Sequence, residues 1–187
     1  MCYFVEPFVP LVVKKRYHKG IKECTKDTKY KLYNIEYMDV KAVKAINYFK
    51  SGYNCAQSVV AAFKDDLGFD ENLALEISVG FGGGMGRLQE KCGAVTGAFM
   101  VMGLYSSKLH QDNISRKNRS YAMIQQFDQK FRSIHQTTQC SELLKCDLRS
   151  EEGHAFAVEN RLFERVCEKC ITDAIGIVGE LVVLNHQ

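Results

Sequence analysis

Proline is scarce in this chain of 187 residues, because it occurs only at Pro7 and Pro10. Long apolar runs are missing as well: the best candidate, residues 94–104, is shorter than the roughly 18 residues that span a bilayer, and polar residues follow it. No segment alternates apolar and polar residues with the period of two that a half-buried strand needs. These absences exclude a membrane span and argue against sheets, so we expect a soluble, helical protein.

The chain also lacks the pattern of an export signal. Its apolar stretch at residues 3–13 precedes the basic residues 14–16, whereas a secretory signal places its positive charges first. Glu6 and the two prolines interrupt that stretch. We therefore expect a cytoplasmic protein. In a reducing compartment, separated thiols indicate metal, cluster or redox chemistry more often than disulfides.

The net charge of +3 hides an asymmetry along the chain. Residues 1–37 carry eight Lys or Arg against four acids, whereas the remainder carries 17 basic and 18 acidic residues. The body therefore lacks the basic excess of a nucleic-acid-binding protein. We divide the chain into a basic N-terminal extension at residues 1–37 and a single helical, cysteine-containing domain at residues 38–187. The extension is either a weak anchor for anionic partners or a disordered tail, and Met38 is an alternative start of translation.

From Asp39 onward, apolar residues recur at the three- and four-residue spacing of helices. The first predicted helix is capped by Asp39 and ended by Gly52, the second covers residues 54–67 and is ended by Gly68, and a short third helix is capped by Asp70. A glycine-rich loop over residues 80–86 leads to a helix over about residues 90–106. A long helix capped by Asn113 or Ser115 follows, and the last two helices cover residues 151–166 and 168–184. We predict an all-α fold, an irregular bundle of about six or seven helices.

Cysteine is abundant, and for any single cysteine an inert place in the core is an adequate explanation. Four of them, however, fall at predicted helix ends, where free amide donors and the helix dipole favour a thiolate. We expect these four to meet at one end of the bundle. The eight cysteines are Cys2, Cys24, Cys55, Cys92, Cys140, Cys146, Cys167 and Cys170, and the four at helix ends are Cys55, Cys92, Cys140 and Cys167.

Small residues after Cys92 support that convergence. Gly93 and Gly97 are four residues apart, so on a helix they share one face and let another backbone approach closely. The alternative is a tight helix crossing without any chemistry. Arg87 and Lys91 lie near Cys92 in the sequence, where they either lower the pKa of its thiol or stand as solvated charges. The glycine-rich loop lacks the βαβ context of a nucleotide site, so we interpret it as a flexible or left-handed connector that shapes the site.

Other residues qualify the candidate site. Cys170 forms a Cys-x-x-Cys pair with Cys167, a spacing that suits a dithiol, zinc or an iron–sulfur cluster. Tyr53 and Asn54 adjoin Cys55, and we expect them, together with Gly93 and Gly97, to help to bind a cofactor at the site. The histidines have no partner at helical spacing, and we interpret His110, His135 and His154 as surface residues. No Ser-His-Asp set, carboxylate pair or phosphate loop is present in the sequence pattern.

Together these motifs resemble the C_GCAxxG_C_C family of redox-active proteins. The resemblance covers about residues 38–187, and its motifs are Gly52-Tyr53-Asn54-Cys55-Ala56-Gln57, Gly82-Gly83-Gly84-Met85-Gly86 ahead of Cys92-Gly93-Ala94-Val95-Thr96-Gly97, Cys140-Ser141-Glu142-Leu143-Leu144 and Val166-Cys167-Glu168-Lys169. The resemblance implies a small helical protein with a redox or metal-associated site at Cys55, Cys92, Cys140 and Cys167. Cys146, Cys170 and residues 1–37 lie outside the four-cysteine pattern.

Three functions remain open for this set of thiols. Four thiolates can hold an iron–sulfur cluster for electron transfer, or they can work as dithiol and disulfide pairs with an unknown redox partner. Either makes the protein an oxidoreductase or an electron-transfer protein. The alternative is a non-catalytic structural or sensor module that binds zinc or another metal through the same cysteines, with Cys170 as a further ligand.

Overall fold

The computed structural model describes residues 26–68 and 70–183, and the side chains of residues 36–68 and 70–182. This part of the chain is helical without a strand and includes seven helices of seven or more residues, which confirms the predicted all-α bundle. The helices are α1 (Lys26–Lys50), α2 (Cys55–Ala62), α3 (Lys64–Leu67), α4 (Glu71–Ser78), α5 (Gly82–Met85), α6 (Gly93–Leu109), α7 (Asn113–His135), α8 (Cys140–Leu144), α9 (Glu151–Glu159) and α10 (Glu168–Val183). A 3-10 turn lies at Val79–Phe81 and a π-helical segment at Phe163–Cys167.

The first helix is longer than predicted. Asp39 was expected to cap it, but α1 begins at Lys26 and runs through Asp39, because neither glycine nor proline interrupts the residues before it. The predicted boundary between residues 37 and 38 falls inside this helix, and residues 1–25 of the predicted extension lie outside the described residues. The chain divides into two units, Met1–Ile35 and Glu36–Gln187, and the helices from α2 onward all belong to the second.

Helix α6 is the centre of this unit. It packs against α2, α7 and α10, and it has no polar face along most of its length. A helix that is apolar on all sides is typical of a buried position. Side chains such as Val95 and Met102 of α6, Phe127 of α7 and Ile175 of α10 are completely buried around it. Each buried side chain of this size contributes about 1.5–3 kcal/mol through the hydrophobic effect.

The contact between α2 and α6 is close because Gly97 lies in it. A β-carbon on Gly97 would stand 2.9 Å from the carbonyl oxygen of Ala56 and 3.0 Å from the β-carbon of Val59. The predicted close approach of a second backbone to this glycine face is therefore present. It brings the first turn of α2 beside the first turn of α6, which is where Cys55 and Cys92 lie.

Several predicted boundaries differ from those in the structure. The helix predicted over residues 54–67 divides at Phe63 into α2 and α3. Helix α7 is capped by Asp112, which accepts a hydrogen bond from the Ser115 amide, and neither Asn113 nor Ser115 is the cap. The helix predicted over residues 151–166 ends early, because Arg161 adopts a left-handed φ of 53° before the π-helical segment. Among the described helices, none is both long and apolar enough to cross a bilayer.

Candidate functional site

Five cysteines line one cavity of about 430 Å³ at the end of the bundle. They come from five different elements: Cys55 begins α2, Cys92 precedes α6, Cys140 begins α8, Cys167 ends the π-helical segment, and Cys170 lies in the first turn of α10. The other lining residues are Phe49, Asn54, Val79, Gly82, Gly83, Gly86, Arg87, Leu144, Leu148, His154 and Phe163. The structure therefore brings together the four cysteines of the resemblance and adds Cys170 to them.

Asn54 holds the first turn of α2, which carries Cys55. Its side-chain oxygen accepts hydrogen bonds from the amides of Ala56 and Gln57, both at 3.0 Å, and the Gln57 side chain accepts the Asn54 amide in return. This reciprocal arrangement is a capping box. Asn54 Nδ2 also donates to the carbonyl of Val79 at 2.8 Å, which ties the turn to the glycine-rich segment.

Tyr53 is placed differently from its neighbour Asn54. Its side chain is 37% exposed, it contacts the ring of Tyr48 edge-on with centroids 5.7 Å apart, and it does not line the cavity. Gly93 does lie at the site, because a β-carbon there would overlap the sulfur of Cys55. Gly97 lies one turn further along, in the helix crossing. The roles predicted for these residues in binding a cofactor stay predictions.

A short antiparallel bridge joins the segments that carry Cys92 and Cys140. It pairs Lys91 with Gln139. The Cys92 amide donates to the carbonyl of Thr138 at 2.8 Å, and the Cys140 amide donates to the carbonyl of residue 90 at 2.7 Å. Two cysteines that are distant in sequence are thus held side by side through backbone hydrogen bonds, whose geometry does not depend on the side chains.

The side chain of Lys91 interacts with residues other than Cys92. Its ammonium group donates to Thr138 Oγ1 at 3.0 Å and lies 3.4 Å from Asp128 Oδ1. Arg87 is the neighbouring cation that does line the cavity. The hypothesis that Lys91 lowers the pKa of Cys92 finds no support in this arrangement, because its charge is shared with Asp128.

Gln89 is a supporting residue that the sequence analysis missed. It is buried, its Nε2 donates to the carbonyl of Cys146 at 2.7 Å, and its Oε1 accepts the amide of Leu148 at 2.9 Å. These two bonds hold the loop after α8 so that Leu148 closes one side of the cavity. A glutamine is usually exposed, so nothing in the local sequence distinguishes this one.

The glycine-rich segment forms a tight left-handed connector, as predicted. Gly83, Gly84 and Gly86 have φ values of 63°, 70° and 67°. Gly84 lies against Cys140, because a β-carbon on it would stand 2.6 Å from the β-carbon of Cys140 and 2.9 Å from the Cα of Gln89. A left-handed backbone without a side chain is therefore required where this connector passes Cys140.

Burial controls the acidity of the cavity thiols. It raises the pKa of Cys55 to about 12, with a further contribution from the neighbouring Cys92, and it raises the pKa of Cys140 to about 12. A side-chain hydrogen bond with Cys170, followed by burial, raises the pKa of Cys92, and burial raises that of Cys167. The expectation that helix ends favour thiolates was wrong for these four cysteines: loss of solvent outweighs the backbone amides, and the thiols keep their protons at neutral pH.

His135 was interpreted as a surface residue, and this interpretation was wrong. It is the last residue of α7, its side chain is only 9% exposed, and its ring stacks on that of Phe131 with centroids 4.3 Å apart. Its Nδ1 lies 4.0 Å from the sulfur of Cys170, and its Nε2 lies 2.8 Å from Asp173 Oδ2 without the alignment of a full hydrogen bond. Cys170 and Asp173 share a face of α10 three residues apart, but α7 meets that face only in the tertiary structure.

Cysteine side chains are suitable metal ligands, but the described ones are not arranged to hold a metal ion. Thiolates are ligands of both zinc and iron–sulfur clusters. Yet in the part of the chain that the structure describes, no three His, Cys, Asp or Glu side chains converge where they would hold a metal ion. The described cysteines are free thiols, and Cys146 lies outside the cavity lining. We therefore derive no step through a metal or cluster.

Comparison with known proteins gives one match. No curated protein and no solved structure matches the chain. The sequence model of one family, described as "Putative redox-active protein (C_GCAxxG_C_C)", matches residues 53–181, which is more than half of the chain and contains all five cavity cysteines. The chain therefore belongs to the C_GCAxxG_C_C family of redox-active proteins.

Proposed function

We propose that this protein carries out dithiol–disulfide exchange with its cavity cysteines, as an oxidoreductase that exchanges electrons with a disulfide-containing partner. One observation carries the proposal: five thiols from five elements line a single cavity. Two adjacent thiols that become a disulfide release two electrons and two protons, and the reaction needs no further cofactor. The cytoplasmic location is part of the proposal, because a reducing compartment would keep these cysteines in the thiol state.

Cys92 is the thiol that we expect to form disulfides with the others. The residue after it, Gly93, lies against the sulfur of Cys55, and backbone hydrogen bonds pair its segment with that of Cys140. It lines the same cavity as Cys170, and interaction with that thiol is the largest cause of its raised pKa. A shared central thiol is what an exchange site needs, because one cysteine must resolve a bond that another has formed with the partner.

Cys167 is the member of the family set that is least buried. Cys55, Cys92 and Cys140 are each at most 8% exposed, whereas Cys167 has intermediate exposure. It also belongs to a π-helical segment, and such segments occur frequently at functional sites. We therefore assign Cys167 the contact with a large partner, and the more deeply buried thiols the transfer of the disulfide into the cavity.

The test is a redox titration of the reduced protein in glutathione buffers of defined ratio. We expect the reversible loss of a pair of thiols at a defined potential. Peptide mass spectrometry should find Cys92 in the disulfide that forms. Cys92→Ser should abolish this reversible loss. Cys146→Ser is the matched control, because Cys146 does not line the cavity, and it should titrate as the unmodified protein does.

Two results would overturn the proposal. The first is a set of thiols that stays titratable at every glutathione ratio. The second is stoichiometric iron with acid-labile sulfide, or stoichiometric zinc, which protein purified without oxygen binds through Cys92 and Cys140. Iron with sulfide would assign electron transfer through a cluster, whereas zinc would assign the structural or sensor role.

A further inference from the structure

Dithiol exchange in this cavity faces a physical difficulty, because only a thiolate attacks a disulfide. Cys55, Cys92 and Cys140 hold their protons more firmly than free cysteine does, as their raised pKa values indicate, and Cys170 is shut off from solvent, with only 1% of the residue exposed. A group that accepts a proton inside the protein would remove this barrier. Such a group must touch one of the thiols and be uncharged at neutral pH.

His135 satisfies both conditions. Its Nδ1 lies 4.0 Å from the sulfur of Cys170, the limit for a hydrogen bond that involves sulfur. Burial is the largest cause that lowers the pKa of His135 below 6.5, and Asp173 opposes it only in part. The imidazole is therefore neutral near pH 7, and a neutral imidazole accepts a proton at one of its two nitrogens.

Asp173 determines which ring nitrogen of His135 carries no proton. Its Oδ2 lies 2.8 Å from Nε2 of His135, so its negative charge favours the tautomer with the proton on Nε2 and leaves Nδ1 as the acceptor towards Cys170. The same oxygen lies 2.7 Å from the ammonium group of Lys169, a side chain at the surface. The groups that face His135 are thus Asp173, Lys169 and Cys170 of α10, with Cys92 adjoining Cys170.

We propose that His135, oriented by Asp173, is the proton acceptor for Cys170, and that Cys170 with Cys92 is the dithiol that reduces a low-molecular-weight disulfide in the cavity. This inference rests on the proposed function and adds to it a fifth reactive cysteine and its base. Cys170 lies outside the four-cysteine pattern of the family but lines the cavity, so a disulfide that enters the cavity reaches its sulfur.

The exchange balances in two steps. His135 Nδ1 takes the proton of Cys170, and the Cys170 thiolate attacks one sulfur of the small disulfide; that disulfide bond breaks, a mixed disulfide forms, and the departing thiolate takes the proton from His135. Cys92 then attacks the Cys170 sulfur of the mixed disulfide; the bond between Cys170 and the small sulfur breaks, and the proton of Cys92 passes to the departing small thiolate. The products are a Cys92–Cys170 disulfide and two small thiols, so the small disulfide is reduced by two electrons and the protein dithiol is oxidised.

The test follows the reaction of the reduced protein with 4,4′-dithiodipyridine, with peptide mass spectrometry to measure modification at Cys170. His135→Phe keeps a ring on Phe131 and removes the acceptor. Its rate at about pH 7 should fall roughly 100-fold, the lower range for loss of a general base. The deficit relative to the unmodified protein should shrink as the pH rises, because hydroxide in solution then takes over the task of the missing base.

A second variant tests the same role of His135 in case His135→Phe does not fold. Asp173→Asn leaves His135 and both thiols in place and removes only the charge beside Nε2. Because that charge raises the pKa of His135, the inflection of the rate against pH should move to lower pH. His110→Phe is the matched control, since His110 follows the last residue of α6, at the opposite end of that helix from Cys92, and its profile should not change.

The outcomes separate the two proposals. If the unmodified protein exchanges thiols while His135→Phe reacts as fast at about pH 7, or is slowed equally at every pH, the role of His135 as a base is overturned and the dithiol function stands. A Cys170 that remains unmodified while other cavity thiols react also overturns the inference alone. No thiol exchange by the unmodified protein overturns both.

Discussion

Gly93 lies directly against Cys55. A β-carbon at Gly93 would overlap the Cys55 sulfur and would also come within 2.9 Å of the carbonyl oxygen of Phe81. The first residue of α6 therefore has no side chain because the thiol at the start of α2 occupies that space. This contact joins the two helices at the edge of the cavity, and it makes the position of the Cys55 thiol depend on the residue at 93.

Gly93→Ala is expected to destabilise the protein and displace Cys55. Overpacking in a well-packed interior costs about 1–3 kcal/mol, and the backbone oxygen of Phe81 limits how far the added methyl group can move away. Chemical denaturation would measure the loss in the free energy of unfolding. Mass spectrometry after brief alkylation of the native protein would detect faster modification of Cys55.

Gly176→Ala is the matched control, because Gly176 is also helical and a β-carbon there would meet nothing within 4 Å. Alanine is the better helix former by about 1 kcal/mol, so this variant should be as stable as the unmodified protein or more so. Equal stability of the two variants would contradict the close contact at Gly93.

Gly84→Ala is expected to disturb the cavity from its other side. The left-handed backbone at Gly84 costs a residue with a β-carbon about 1–2 kcal/mol, and the added carbon would meet Cys140 Cβ at 2.6 Å and the Cα of Gln89 at 2.9 Å. We expect a lower unfolding midpoint and faster alkylation of Cys140. Gly80→Ala provides the comparison, since Gly80 lacks a positive φ and a β-carbon there has open space.

Local features of the site were predictable from the sequence because they depend on residues a few positions apart. The left-handed glycine connector is of this kind, as is the cap that Asp70 provides to α4 by accepting the amides of Asn72 and Leu73. The all-α fold follows in the same way from helical spacing of apolar residues.

The acidity of the thiols and the place of His135 were not predictable in this way. A position in the first turn of a helix predicts a lowered pKa for Cys55, but the pKa rises because α6 and the glycine connector exclude water from that turn. His135 lies between Ile134 and Gln136 near the end of a largely polar helix, and nothing in that sequence indicates that Phe131 and α10 cover its ring. Both properties arise from contacts between helices that no local pattern encodes.

Asn54→Ala should loosen the turn that carries Cys55. The variant loses the acceptor for the Ala56 and Gln57 amides and the bond to Val79, and removal of such a cap costs about 0.5–2 kcal/mol. We expect this loss together with faster native-state alkylation of Cys55. Asp112→Ala removes the cap of α7, far along the chain from the cavity residues; it should lose similar stability and leave the alkylation rate of Cys55 unchanged.

The reactivity of Cys55 should depend on pH in a way that a solvated thiol does not. Burial raises the pKa of Cys55 from 9.0 to about 12, so at about pH 8 the native protein holds roughly a thousand-fold less thiolate at this position than an unfolded chain does. The rate of Cys55 alkylation by iodoacetamide should therefore rise about tenfold per pH unit beyond pH 9, whereas in denaturant it should level off near pH 9.

The same shift makes stability depend on pH. A thiol whose pKa is raised on folding stabilises the native state fully below its unfolded pKa, and this contribution is lost as the pH rises through the folded value. The free energy of unfolding should thus fall between about pH 9 and pH 12, and Cys55→Ala should show a smaller fall over the same interval because one titrating thiol is gone. An alkylation rate of native Cys55 that levels off near pH 9 would mean that water reaches the thiol, and the closed packing of Gly93 against it would then be wrong.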